Sequence, residues 1–140
     1  MEKGNCILVP VDFSEDSRIA LEAADRHASR EGRELIVLHV IPPWHPQESP
    51  DIPKGVQMFD EWMRRRTWTP SKRVAWLIRE GIPTEKILQL AHDLEVCAIY
   101  MGRGGDMEQV GPAAAKVRAH FKGREELFSH LASQIIRRAA

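Results

Sequence analysis

Met101-Gly102-Arg103-Gly104-Gly105 is the stretch of this 140-residue chain whose residue types and spacing best suit ligand chemistry. It follows directly on Val96-Cys97-Ala98-Ile99-Tyr100, an apolar run that reads as a buried strand. Open α/β sheets place their ligand loops at the carboxyl ends of parallel strands. Glycine has no Cβ, so a loop built on Gly102 and Gly105 can bring backbone N–H groups up to a phosphate. Arg103 lies between them and could pair with the same anion. The bland alternative is a tight turn out of the strand carrying a solvated arginine. Asp106 weighs on that side, because a carboxylate beside a polyphosphate is repulsive without a metal ion.

Catalytic residue types are present but scattered. His27, His39, His92 and His130 fall on different elements, and no histidine or cysteine spacing suggests a zinc site. No nucleophile has an evident base beside it. His39, inside an apolar run, reads as a satisfied, partly buried histidine. The pattern favours a binding module over an enzyme.

The elements that must position the loop follow from apolar runs and their punctuation. Residues 6–11, 35–41, 74–78 and 96–101 are short continuous apolar segments, as expected of parallel strands covered on both faces. Ser14 caps a helix with Glu15 and Asp16 in its first turn, and Glu31-Gly32 ends it. A proline-rich loop then leads to a short amphipathic helix over residues 55–66, carrying Met58, Phe59, Trp62 and Met63. Pro83 opens a third helix lined by Ile87, Leu88, Ala91 and Leu94. Residues 113–121 are helix-prone and basic, and residues 125–138 predict a last helix with Leu127, Leu131 and Ile135 facing inward. Strands alternating with helices imply a single α/β domain over residues 1–140, a Rossmann-like open parallel sheet with helices on both faces and right-handed crossovers. A last strand is missing or displaced. The fourth strand is then a sheet edge that the tail or another chain must cover. Trp76 is expected in the core. Trp44, Trp62 and Trp68 are expected to pack, with a partner surface as the alternative.

Composition sets the outer limits. Lys+Arg and Asp+Glu both total 20, so no net charge marks a nucleic-acid or anionic-membrane partner. No apolar run approaches the roughly 20 residues of a membrane span. The first residues lead straight into a strand without a signal-peptide core, and Cys6 and Cys97 sit in apolar runs as small hydrophobes. A cytoplasmic location is expected.

Taken together these segments resemble the universal stress protein family. Ile7-Leu8-Val9-Pro10-Val11-Asp12-Phe13-Ser14-Glu15-Asp16-Ser17 resembles its first strand and helix start, and Leu38-His39-Val40 the end of its second strand. Arg79-Glu80-Gly81-Ile82-Pro83 resembles its third strand-to-helix junction, and Ile99-Tyr100-Met101-Gly102 its fourth strand and loop start. The resemblance implies an adenine-nucleotide site in which Asp12 faces the adenosine. A carboxylate accepts from hydroxyls or an exocyclic amine. Equally, Asp12 could cap the local backbone. Pro10, Val11 and Val40 would wall the base, or be core, and Met101, Gly102, Arg103 and Gly105 would form the phosphate side.

Nucleotide-binding members follow the glycine pair, after nine residues, with Gly-Ser or Gly-Thr at a helix start. That count lands here on Ala115. A second register puts Ser129-His130 in that place after a loop insertion of roughly a dozen residues or more, lets Ser129 or Ser133 substitute if that insertion folds back, and reads Leu131-Ala132-Ser133-Gln134-Ile135-Ile136-Arg137-Arg138-Ala139 as the last helix, with the chain ending where the last strand would start. The resemblance therefore implies a regulatory stress-response module that homodimerises and binds ATP (with Mg²⁺) or AMP weakly, or has lost the nucleotide. The rival from another class is a slow ATPase of the adenine nucleotide α-hydrolase-like group, and a third reading is an interaction module with a protein partner.

Overall fold

The computed structural model describes residues 3–42, 52–64, 73–102, 115–117, 119, 121, 124–128 and 135–138; for 52–55, 124–128 and 135–138 it describes the backbone alone. The elements run β1 (Cys6–Pro10), α1 (Glu15–Glu31), β2 (Glu34–Ile41), α2 (Ile52–Arg64), β3 (Val74–Glu80), α3 (Pro83–Asp93), β4 (Ala98–Gly102), β5 (Arg124–Phe128) and β6 (Ile135–Arg138). Among the described residues they form one sheet of order β3-β2-β1-β4-β5-β6. Every pair from β3 to β5 is parallel, and β6 pairs antiparallel with β5.

The apolar runs become strands because alternate residues feed two separate cores. Ile7, Val9, Leu35, Val37, Ala98 and Tyr100 pack under α1 and α2, against Ala20, Leu21, Ala24, Phe59 and Trp62. Leu8, Ile36, Leu38, Val40, Ile99 and Met101 pack on the other face with Ile87 and Ala91 of α3 and with Val117. Both faces are buried, so the strands need no polar side. Ser14 caps α1 by accepting from the Ser17 N–H, and Gly32 ends the helix in the left-handed conformation. Pro83 stands in the first turn of α3.

Two expectations are corrected. The helix read over 125–138 is instead two strands, β5 and β6, running at 124–128 and 135–138. Glutamate, leucine and arginine there favour a helix weakly, and tertiary context overrides such propensity. Here the context is the open edge of β4, whose backbone groups need partners. β5 supplies them in the register Ala98↔Arg124 to Gly102↔Phe128. The fourth strand is thus covered by the chain's own tail, as the need for edge cover requires, and the sheet holds a strand beyond β4. The second correction is Trp76, which is 43% exposed rather than core. It stands edge-on to Phe59 with ring centroids 5.2 Å apart. Among the described residues β3 is an edge strand, and Trp76 meets α2 through Phe59. Trp62 is buried as expected, while Trp44 and Trp68 lie outside the described residues.

Candidate functional site

Strand order and chain order diverge at β1. The chain leaves β1 toward β2 on one side, and β4 lies on the other. Loops turn away in opposite directions at such a switch point and leave a crevice outside the carboxyl ends. Here β1 and β4 pair only at Ile7↔Ala98 and Leu8↔Ile99, although both strands run on, to Pro10 and Gly102. Asp12 and Gly102 stand at the two lips of this opening.

Asp12 is exposed, and its place is fixed by two serines. Oδ1 accepts from the Ser14 N–H (3.1 Å), from the Ser14 hydroxyl, and from the Ser17 hydroxyl (2.6 Å). The Asp12 N–H in turn donates to Ser17 Oγ at 3.1 Å. Desolvation raises the tendency of this carboxyl to hold a proton, but the hydrogen bonds from Ser14 and Ser17 outweigh it and hold the pKa below the usual aspartate value. Asp12 is therefore ionised at neutral pH. One oxygen does the local capping that the sequence offered as the alternative, and Oδ2 accepts from none of the described residues. The two roles are compatible, one per oxygen. Ser17 escaped the sequence reading; its signal is the Ser14–Ser17 spacing, which puts a second hydroxyl over the capping position.

Gly102 is required by close approach. A Cβ on it would lie 2.9 Å from Asp16 Cβ and 3.1 Å from the Ser17 N. β4 thus ends directly against the first turn of α1, at the positive end of that helix. Of the other expected site residues, Pro10, Val11, Val40 and Met101 are all buried at the carboxyl ends of their strands. They do not form one wall. Val11 packs on the α1 and α2 side, while Val40 and Met101 pack on the α3 side. Arg103, Gly105 and Ser129 lie outside the described residues.

Phe13 and His39 flank Asp12. Phe13 takes a left-handed φ of 66°, uncommon for a side-chain-bearing residue, and stacks on the His39 ring at 4.2 Å. His39 Nδ1 lies 2.9 Å from the Val11 carbonyl, which only accepts, so Nδ1 carries the hydrogen. Burial lowers the His39 pKa, and the Val11 carbonyl and the Asp12 charge oppose it without cancelling it. The folded ring therefore resists a proton that the unfolded chain accepts below the ordinary value of about 6.5. Stability attributable to His39 is complete above that value and erodes as pH falls below it toward the folded pKa. His39→Gln is expected to flatten the fall of the urea midpoint between about pH 7 and pH 5; an equal slope in both proteins would contradict this role.

The profile of the universal stress protein family matches residues 5–139. No curated protein sequence matches the chain. Among solved structures, the fold is similar to the universal stress protein UspA from Lactobacillus plantarum, with TM-score 0.71 and 23% identity over 92% of this chain and 100% of that one. It is similar to the Archaeoglobus fulgidus universal stress protein in complex with dAMP, with TM-score 0.65 and 19% identity over 92% of this chain and 100% of the other. A universal stress protein in complex with cAMP aligns with TM-score 0.66 and 16% identity over 90% of this chain and 97% of the other.

Proposed function

This chain belongs to the universal stress protein family, and from that we propose that it is a stress-response binding module that takes an adenine nucleotide in the crevice between β1 and β4. The observation that carries this reading is the Asp12 carboxylate, ionised and braced through Oδ1 by Ser14 and Ser17, with Oδ2 left to a ligand donor at the switch point. Structures similar in fold hold dAMP and cAMP, which supports the ligand class.

The geometry suits the nucleoside better than the phosphates. Oδ2 of Asp12 can accept from ribose hydroxyls or an exocyclic amine. Gly102 lies against the α1 N-terminus, where backbone N–H groups favour an anion. Glu15 and Asp16 stand in the same first turn and add negative charge with Asp12. AMP, or ATP with Mg²⁺ to offset its charge, is the ligand this balance favours, and affinity should be modest. Homodimerisation and a place in the cytoplasm belong to the same proposal; light scattering should give twice the mass of the chain. Among the described residues no helix is long and apolar enough to cross a membrane.

Calorimetric titration with AMP and with ATP·Mg²⁺ tests this reading. Submillimolar heats are expected, weakened at least about tenfold in Asp12→Ala, since a hydrogen bond to a charged group is worth about 1.5–3 kcal/mol. Equal affinity in the variant, or no heat for either nucleotide with the folded wild-type chain, would overturn it.

A further inference from the structure

A groove of about 340 Å³ lies on the α3 side of the sheet, away from the β1–β4 crevice, between the carboxyl end of β3 and the helix α3. Arg79, Lys86, Gln89, Leu90 and Asp93 line it. Its volume is at the lower end of small-ligand sites, which run from about 300 to 1,000 Å³.

Its charges are arranged by the fold. Arg79 pairs across the strands with Val40, which belongs to the α3-side core, so Arg79 stands on that face of the sheet. Lys86, Gln89, Leu90 and Asp93 follow at helical spacing and make one stripe along α3. Gly81, in the turn between β3 and α3, has φ of 143°, and a Cβ there would lie 2.6 Å from Lys86 Cε. The lysine stem thus crosses the turn in space that only glycine leaves open. The Gly81 N–H donates to the Ile41 carbonyl at 3.0 Å and ties this turn to β2. Arg79 Nη1 donates to the Ile78 carbonyl at 3.0 Å. Among the described residues neither Arg79 nor Lys86 forms an ion pair, although Asp93 lines the same groove.

Two cations without a carboxylate partner in one concavity suit a dianion better than a single carboxylate. Asp93 suits hydroxyl donors, Gln89 can donate or accept, and Leu90 offers apolar contact. We infer that this groove binds a small hydroxylated phosphate monoester, with the phosphate between Arg79 and Lys86 and hydroxyls toward Asp93. The site is separate from the nucleotide crevice and does not depend on it.

Nitrogen–proton chemical-shift titration of the full chain tests the assignment, with glucose 6-phosphate, glucose and inorganic phosphate as probes. Glucose 6-phosphate should shift the Gly81, Lys86, Gln89 and Asp93 amides saturably, and glucose should not. The Arg79→Gln/Lys86→Gln double variant, which alters two surface side chains, should keep its melting temperature and lose at least about tenfold in affinity. Asp93→Asn should weaken glucose 6-phosphate and leave inorganic phosphate unchanged. Absence of saturable shifts, shifts that survive the double variant, inorganic phosphate binding as tightly as the ester, or shifts confined to Val11, Asp12 and Gly102 would each overturn it.

Discussion

Gly102→Val should cost about 1–3 kcal/mol of stability, the usual range for forcing atoms into filled space, and should abolish nucleotide binding in the chain that remains folded. A Cβ at this position already lies 2.9 Å from Asp16 Cβ and 3.1 Å from the Ser17 N, and valine adds two methyl groups to that contact. Relief requires β4 to move away from the first turn of α1. The Ser17 hydroxyl that braces Asp12 sits on that turn, so the strain passes to the carboxylate as well as to the fold. A lower urea midpoint with an unchanged slope, together with the loss of nucleotide heat, is the expected result. A variant as stable as the wild type would show that the approach of β4 to α1 is looser than described.

His27→Ala is the second large effect. His27 is buried in α1 and bonds on both sides. Nε2 faces the Glu31 carboxylate, which only accepts, so Nε2 carries a hydrogen. Nδ1 lies 2.6 Å from the hydroxyl of Tyr100 in β4. The ring thus donates to Glu31 on one side and shares a hydrogen bond with the Tyr100 hydroxyl on the other, linking the helix to the strand that carries the candidate loop. Alanine would remove this hydrogen bond from the buried Tyr100 hydroxyl, at about 0.5–1.5 kcal/mol, and open a cavity besides. A total of roughly 2–4 kcal/mol is expected in equilibrium unfolding. His27→Leu combined with Tyr100→Phe should recover part of it, because removing both polar partners costs less than removing one. Additive losses in that pair would contradict the coupling.

The parts of the fold visible in the sequence were those where one local rule suffices. β1, β2 and β4 read as continuous apolar runs because both faces of the sheet are covered, and α1 reads from Ser14 at one end and Gly32 at the other. What failed depended on distant neighbours. Residues 124–128 are a strand because β4 lies beside them, a fact their own composition does not carry. Trp76 lies in an apolar run like its core counterparts, yet its strand is at the edge of the sheet. His27 and Tyr100 are 73 positions apart, and nothing near either residue announces the other. The site divides in the same way. Asp12 and Gly102 were legible as the ends of apolar runs, whereas the opposite facing of Val11 and Val40 follows only from the completed sheet.

In the proposed function, AMP occupies the crevice between β1 and β4. Chemical-shift titration of the full chain with AMP tests it most directly. The amides of Val11, Asp12, Ser14 and Gly102 are expected to move together and saturate, and to stay still in Asp12→Ala. Shifts that saturate only at Gly81, Lys86 and Gln89, or no saturable shift at the β1 and β4 ends, would contradict the claim.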